Sequence, residues 1–212
     1  MRAQNVADAD YHAVLKALRE TLRLARLTRD INVVDFDKWR HPQWLDGKGQ
    51  LRPHGSVDWY IQQGITASQR TPQLNAKRII ADLFRDPWQR VEPHYDVLVL
   101  EHDLYCDNRS FIVGLALPGI ASIISTHRFT DLETEQHREC VKTLSFHEIG
   151  HMLGLPGATR TEERPDAHCP NKCVMRQGLS VPLDWLEMTD ERLQLGAPFC
   201  AECLRDLLER FR

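Results

Sequence analysis

The segment HEIGHMLG, at residues 147–154, constrains this chain more than any other part of its sequence. The run 139–154 that contains it has the apolar content and the closing glycine of a mostly buried helix. On a helix, His147 and His151 lie on one face about one turn (~6 Å) apart, so both imidazoles can reach one metal ion. Buried polar groups need partners, and a metal would supply them. Glu148 lies next along the same helix.

This HExxH spacing is typical of zinc enzymes that hydrolyse amide bonds. We therefore expect His147 and His151 to bind a catalytic zinc. Glu148 is the expected general base, which takes a proton from water and passes it to the leaving amine. A pair of histidines on a helix face can also be ordinary polar surface, but the apolar neighbours Val141 and Leu144 argue against that reading.

Four of the six cysteines form two close pairs near the C-terminus. The pairs are Cys169 with Cys173 and Cys200 with Cys203. The N-terminus lacks a secretory leader pattern, so we expect a cytoplasmic, reducing setting in which paired thiolates bind metal more often than they form disulfides. Disulfides and unliganded thiols remain the alternatives. We expect Cys106 and Cys140 to be small buried hydrophobic residues.

Charge and hydropathy argue against two kinds of partner. The formal charge of −3 and the pI near 6.4 supply no field that would attract nucleic acid. No basic cluster accompanies the cysteines, which disfavours a nucleic-acid-binding zinc ribbon. No run of 18 apolar residues predicts a membrane span. The sequence carries no feature that predicts an oligomeric state.

The chain after the HExxH helix resembles the archaemetzincins, a family of the metzincin clan. The resemblance rests on HEIGHMLG, on HCPNKCVM at 168–175 and on FCAEC at 199–203. It reaches upstream through YDVLVLEHDLYCDNRSFIVGLA and IASIISTHRF, and covers about residues 68–203. It implies an α+β fold: a metzincin-like zincin domain with a mixed twisted sheet, an active-site helix and a short irregular C-terminal subdomain.

The resemblance also implies site residues beyond the helix. His168 takes the place of the third zinc ligand, and Met175 that of the methionine in a tight turn beneath the ligands. The four paired cysteines take the place of the family's second metal site, and four thiolates around zinc make a closed, structural site. We therefore expect two zinc ions, one catalytic and one structural. By the same resemblance, residues 120–126 are the edge strand that could pair with an extended peptide.

Two departures from the family pattern stand out. The metzincin pattern has its third ligand where this chain has Gly157, which cannot bind metal, and eleven residues (157–167) precede His168. Because loop-closure entropy grows slowly with length, a polar insertion of this size is tolerable. The competing third ligands within it are Glu162, Glu163 and Asp166. The first cysteine pair is also spaced Cx3C rather than Cx4C.

The remaining expectations concern elements and domains. Periodicity and composition predict helices at 8–27, 71–86, 139–154 and 200–211, strands at 31–36, 95–105, 111–117 and 120–126, and mostly irregular chain at 37–71. Residues 1–65 are predicted to be a helical and irregular extension packed on a catalytic domain, 66–212, in one compact unit.

These expectations combine into one function, with alternatives from other classes. The chain is predicted to be a zinc metallopeptidase, a hydrolase that acts on a peptide or protein substrate. The alternative is a catalytically weak zinc-binding protein that uses the metzincin scaffold as a binding or regulatory module. Zinc hydrolysis of a non-peptide amide also stays open.

Overall fold

A computed structural model describes residues 1–38, 56–107, 109–157 and 168–212, together with the backbone of 44–45 and 51–52. The described helices are α1 (Asp8–Leu24), α2 (Val57–Thr66), α3 (Ala76–Arg85), α4 (Pro87–Val91), α5 (Thr134–Met152), α6 (Leu183–Leu195) and α7 (Ala201–Arg210). The described strands are β1 (Trp44–Leu45), β2 (Leu51–Arg52), β3 (Leu74–Asn75), β4 (Asp96–Leu100), β5 (Leu104–Cys106), β6 (Arg109–Ile112), β7 (Gly114–Leu117) and β8 (Ala121–Ser125). A 3-10 turn covers His127–Phe129. The fold is α+β, as the sequence predicts.

One compact unit consists of Met1–Val6 and Asp35–His127. One of its three-stranded sheets has the order β4-β8-β7, with β8 parallel to β4 and antiparallel to β7; the other has the order β3-β5-β6. Every residue of β8 is buried. The prediction that residues 120–126 form an edge strand open to a peptide is wrong, because β8 is hydrogen-bonded to a neighbouring strand on each side.

The same unit contains three local departures from the predicted elements. Helix α3 begins at Ala76 rather than Thr71, because the Asn75 side chain accepts a hydrogen bond from the Arg78 amide at 3.1 Å and caps it. The preceding residues, 74–75, pair with β5 instead. Helix α2 lies within the stretch predicted to be irregular, and the Ser56 side chain caps it.

The second compact unit consists of Ala7–Val34 and Arg128–Arg212. Helix α1 packs along α5, and α6 packs on α5 as well. His137 of α5 contacts both carboxylate oxygens of Asp10 on α1 at 3.0 Å. Residues 31–36, predicted to be a strand, adopt no regular structure. The sequence patterns did not predict α6, and the boundary proposed at residue 65 stays a prediction.

Within the described ranges, no helix combines the length and the apolar composition needed to cross a membrane.

Candidate metal centres

The end of α5 fixes the backbone around the HExxH segment. Gly154 adopts a left-handed conformation (φ +87°), which costs little for a residue without a Cβ. The Leu155 amide donates to the Gly150 carbonyl at 2.8 Å and the Gly154 amide donates to the His151 carbonyl at 2.9 Å. This pair of hydrogen bonds is the Schellman motif, which turns the chain sharply at a helix C-terminus. The turn leaves the Leu155 carbonyl beside the side chain of His151.

Backbone carbonyls orient the two helix histidines. Nδ1 of His147 donates to the Val174 carbonyl at 2.6 Å, and Nδ1 of His151 donates to the Leu155 carbonyl at 2.8 Å. A carbonyl oxygen only accepts, so each Nδ1 carries the proton and each Nε2 keeps its lone pair. The two Nε2 atoms face each other at 3.1 Å. Two lone pairs at this distance require a proton or a cation between them.

His168 completes the group. Its ring stacks on that of His147 at a centroid distance of 5.2 Å and lies edge-on to that of His151 at 5.0 Å. One nitrogen from each of the three imidazoles lies within 4.8 Å of the other two. We call these three residues the histidine cluster. Trp185 of α6, which is 2% exposed, packs edge-on against the His147 ring at 5.3 Å.

The dimensions of the histidine cluster match a zinc site. Tetrahedral coordination with Zn–N bonds of about 2.0–2.1 Å puts two ligand nitrogens roughly 3.3 Å apart. The Nε2–Nε2 distance of 3.1 Å is close to that value. Three imidazoles also leave a fourth position open for water or substrate, as in catalytic zinc sites.

Burial keeps the helix histidines neutral and Glu148 readily protonated. Desolvation by burial lowers the pKa of His151 to about 4 and that of His147 well below its usual value, with the neighbouring imidazoles adding to the effect. Metal binding requires neutral imidazoles, so neither residue has to lose a proton at neutral pH. Burial raises the pKa of Glu148, which is 5% exposed, to about 8. A carboxyl group with such a pKa can both accept and give a proton near neutral pH.

The four predicted cysteines form a second group, the cysteine cluster. The Sγ atoms of all four lie within 4.8 Å of one another, and those of Cys169 and Cys200 are 3.7 Å apart. All six cysteines lie in the described part of the chain, and none of them forms a disulfide; Cys140 is buried as predicted, but Cys106 is only half-buried. The Cys200 amide donates to the Cys173 sulfur at 3.3 Å.

The cysteine cluster also fits a tetrahedral zinc ion. Zn–S bonds of about 2.3 Å put two sulfurs roughly 3.8 Å apart, and a disulfide would need about 2.05 Å. The observed 3.7 Å matches the first value. The adjacent Cys169 thiol raises the pKa of Cys173 to about 12, so a set of thiolates this close needs a cation to form. Each of the two clusters can therefore hold one zinc ion.

Comparison with known proteins shows that the chain is similar to archaemetzincins. The chain is 33% identical over 121 residues to an archaemetzincin of Nanoarchaeum equitans, a match that covers 56% of each protein. It is 35% identical over 102 residues to an archaemetzincin of Archaeoglobus fulgidus, which covers 48% of this chain and 52% of the relative. The chain is archaemetzincin-like.

A solved structure supports the same relation. The crystal structure of archaemetzincin from Methanopyrus kandleri matches with a TM-score of 0.50 and 28% identity, over 68% of each chain. The chain spans about half the length of the curated relatives that it matches. No protein-family model matches it.

In this archaemetzincin-like chain, Met175 lies directly against α5. It is fully buried, and the Cys169 amide donates to its carbonyl at 2.8 Å, which closes a turn after His168. A Cβ on Gly150 would approach the Met175 sulfur well inside 3.0 Å, so only glycine lets the thioether come this close to the helix. Val174, whose carbonyl orients His147, lies in the same turn.

Several residues that shape the histidine cluster left no signal in the sequence. The carbonyls of Val174 and Leu155 orient the histidines, but a carbonyl is present in every residue. Trp185 lies in α6, a helix that the sequence patterns did not reveal. The competing ligands Glu162, Glu163 and Asp166 lie outside the described residues.

Proposed function

We propose that this chain is a zinc-dependent peptidase. One observation carries the proposal: two imidazoles whose Nδ1 protons are committed to backbone carbonyls direct their Nε2 atoms at each other across 3.1 Å, beside a third imidazole. That arrangement suits a cation. The names of the relatives support a peptidase rather than another hydrolase.

The histidine cluster is the proposed catalytic site. His147, His151 and His168 would hold the zinc ion through their nitrogens. A bound zinc ion supplies Lewis acidity, which polarises a carbonyl group and makes water more acidic. Trp185 packs edge-on against the His147 ring and would restrict the rotation of that ring.

Glu148 is the proposed general base. It follows His147 directly on α5. Burial raises the pKa of its carboxyl group, and the positive charge of a zinc ion held by the neighbouring histidines would lower that pKa again and favour the carboxylate. A carboxylate in this setting takes a proton from water as the water attacks the peptide carbonyl, and then protonates the leaving amine. The same group thus serves both proton transfers of amide hydrolysis.

The cysteine cluster is the proposed structural zinc site. Cys169, Cys173, Cys200 and Cys203 would fill all four tetrahedral positions, which leaves no room for a substrate. Cys169 adjoins His168, so a zinc ion held by the cysteine cluster would also limit where His168 can lie. Zinc-bound thiolates need a reducing environment, which favours the cytoplasm. The proposed substrate is a peptide or protein.

Metal content tests the two zinc sites. Purified protein is expected to contain about two zinc ions per chain, and His147→Ala about one. His12→Ala, which changes an exposed histidine outside both clusters, is the matched control and should keep two. A wild type with only one zinc ion would refute one of the two sites. A His147→Ala variant that retains two zinc ions would refute the histidine site.

Cleavage of a mixed peptide library tests the activity. The wild type should cleave peptides, and Glu148→Gln, which keeps the shape of the side chain but cannot accept the proton as a carboxylate, should lose at least about 100-fold in kcat/KM. Both proteins should still bind two zinc ions. No cleavage by the zinc-loaded wild type would contradict the peptidase proposal and favour a binding module; undiminished cleavage by Glu148→Gln would contradict only the role of Glu148.

A further inference from the structure

Helix α7 contacts the chain at the start of the insertion that separates the helix histidines from His168, and again just after it. At the first residue of the insertion, the Gly157 amide donates to Oδ2 of Asp206 at 2.8 Å. After it, the Cys169 sulfur lies 3.7 Å from that of Cys200, the N-cap residue of α7. Described residues on either side of 158–167 therefore contact one short helix.

The contacts between α7 and this turn are close. A Cβ on Gly157 would lie 2.9 Å from Cγ of Asp206, and a Cβ on Gly154 would overlap the guanidinium group of Arg210. Asp206 and Arg210 are four residues apart, so they lie on the same face of α7. At both glycines a side chain of α7 occupies the space that a Cβ would need, so α7 packs closely on the turn.

The turn held in this way contains the carbonyl that orients a proposed zinc ligand. Leu155 lies between the two glycines, and its carbonyl accepts the Nδ1 proton of His151 at 2.8 Å. Partners of this kind fix the tautomer and the ring direction of a metal-bound histidine, and their loss typically weakens metal binding by about 10–100-fold. Displacement of the turn would therefore change the orientation of the His151 ring and weaken metal binding at the histidine cluster.

We propose that Asp206 is a positioning residue for the histidine cluster. By accepting the Gly157 amide it fixes the turn that presents the Leu155 carbonyl to His151, and α7 thereby holds both ends of the insertion so that His168 can join the two helix histidines. A metal ion bound by the cysteine cluster would hold α7 in place through Cys200 and Cys203, and would thereby support the histidine cluster as well. The inference rests on the proposed function insofar as the histidine cluster binds metal.

Cobalt titration of the full chain tests the proposal without a peptidase assay. Co²⁺ at the cysteine cluster gives a thiolate charge-transfer band together with d–d bands, whereas Co²⁺ at the histidine cluster gives d–d bands alone. The charge-transfer band therefore follows the cysteine cluster, and d–d absorption that grows without it follows the histidine cluster. Asp206→Ala is expected to weaken Co²⁺ binding at the histidine cluster by about 10-fold and to leave the thiolate band unchanged. Asp206→Asn keeps an oxygen that can accept the Gly157 amide, and should bind within about 3-fold of the wild type.

Glu209→Ala changes an exposed residue of the same helix and should match the wild type at both sites. Equal affinity of Asp206→Ala and the wild type at the histidine cluster would overturn the proposal. So would loss of both bands together, which would show that Asp206 only keeps α7 folded, or failure of Asp206→Asn to restore binding. If the wild type itself binds no Co²⁺ at the histidine cluster, that result overturns the proposed function, and the role of Asp206 falls with it.

Discussion

Replacement of Gly150 by alanine tests the contact between α5 and the turn at Met175. The new Cβ would lie inside 3.0 Å of the Met175 sulfur and 3.1 Å from its methyl carbon. Atoms in contact normally lie about 3.5–4.0 Å apart, so the fully buried thioether has to retreat by more than about 0.5 Å. Overpacking of this kind costs about 1–3 kcal/mol, whereas alanine gains about 1 kcal/mol over glycine in a helix. We expect a net loss of about 1 kcal/mol in the free energy of unfolding.

A double-mutant cycle isolates the clash from these offsetting effects. Met175→Ala alone should cost about 2–5 kcal/mol as a cavity, and in the double variant the alanine at residue 150 meets open space. The loss of unfolding free energy in the double variant should therefore be smaller, by roughly 1–3 kcal/mol, than the sum of the losses in the two single variants. They are measured by urea unfolding at a fixed, saturating zinc concentration, because bound metal shifts apparent stability. Gly64→Ala, whose new Cβ would meet Ile79, is the control and should be additive with Met175→Ala. Additivity within about 0.5 kcal/mol for the first pair would refute the contact.

Two further predictions address other contacts. The hydrogen bond to Asp10 raises the pKa of His137 in the folded protein above its unfolded value of about 6.5. The pair therefore adds stability that is fully present below about pH 6.5 and is lost as the pH rises through the folded pKa. The difference in unfolding free energy between wild type and His137→Gln should therefore shrink on going from pH 6 to alkaline pH, and a difference that does not change with pH would contradict the pairing. Asn75→Ala should cost about 1 kcal/mol in thermal or urea unfolding because it removes the cap of α3, whereas Thr71→Ala should stay within about 0.5 kcal/mol; equal effects would contradict the observed helix start.

The sequence predicts the helical part of the site because the residues that form it are close together in the chain. His147, Glu148 and His151 fall on one helix, where spacing alone sets their geometry. The close approach of His168 depends instead on a chain reversal, and only a resemblance to a family predicted it. The paired cysteines gave a signal of their own, since thiols so close in sequence rarely serve packing alone.

The elements that sequence patterns missed depend on distant partners. The β-branched run at 31–36 has strand composition but forms no ladder, and Val34 is 57% exposed. The sequence of residues 74–75 is typical of the first turn of a helix. The Leu74 amide nevertheless donates to the Asp103 carbonyl at 2.8 Å, and the two residues form a strand that pairs with β5. Helix α6 buries Trp185 but exposes Leu183 and Leu195, so it shows no single apolar stripe.

Anomalous diffraction at the zinc absorption edge, from crystals of the full chain, tests the central claim most directly. We predict two peaks. One should lie about 2.0–2.1 Å from a nitrogen of each of His147, His151 and His168, and the other about 2.3 Å from the four sulfurs of the cysteine cluster. A peak at the cysteines alone, or a first zinc ion bound by a carboxylate of the insertion in place of His168, would contradict the account.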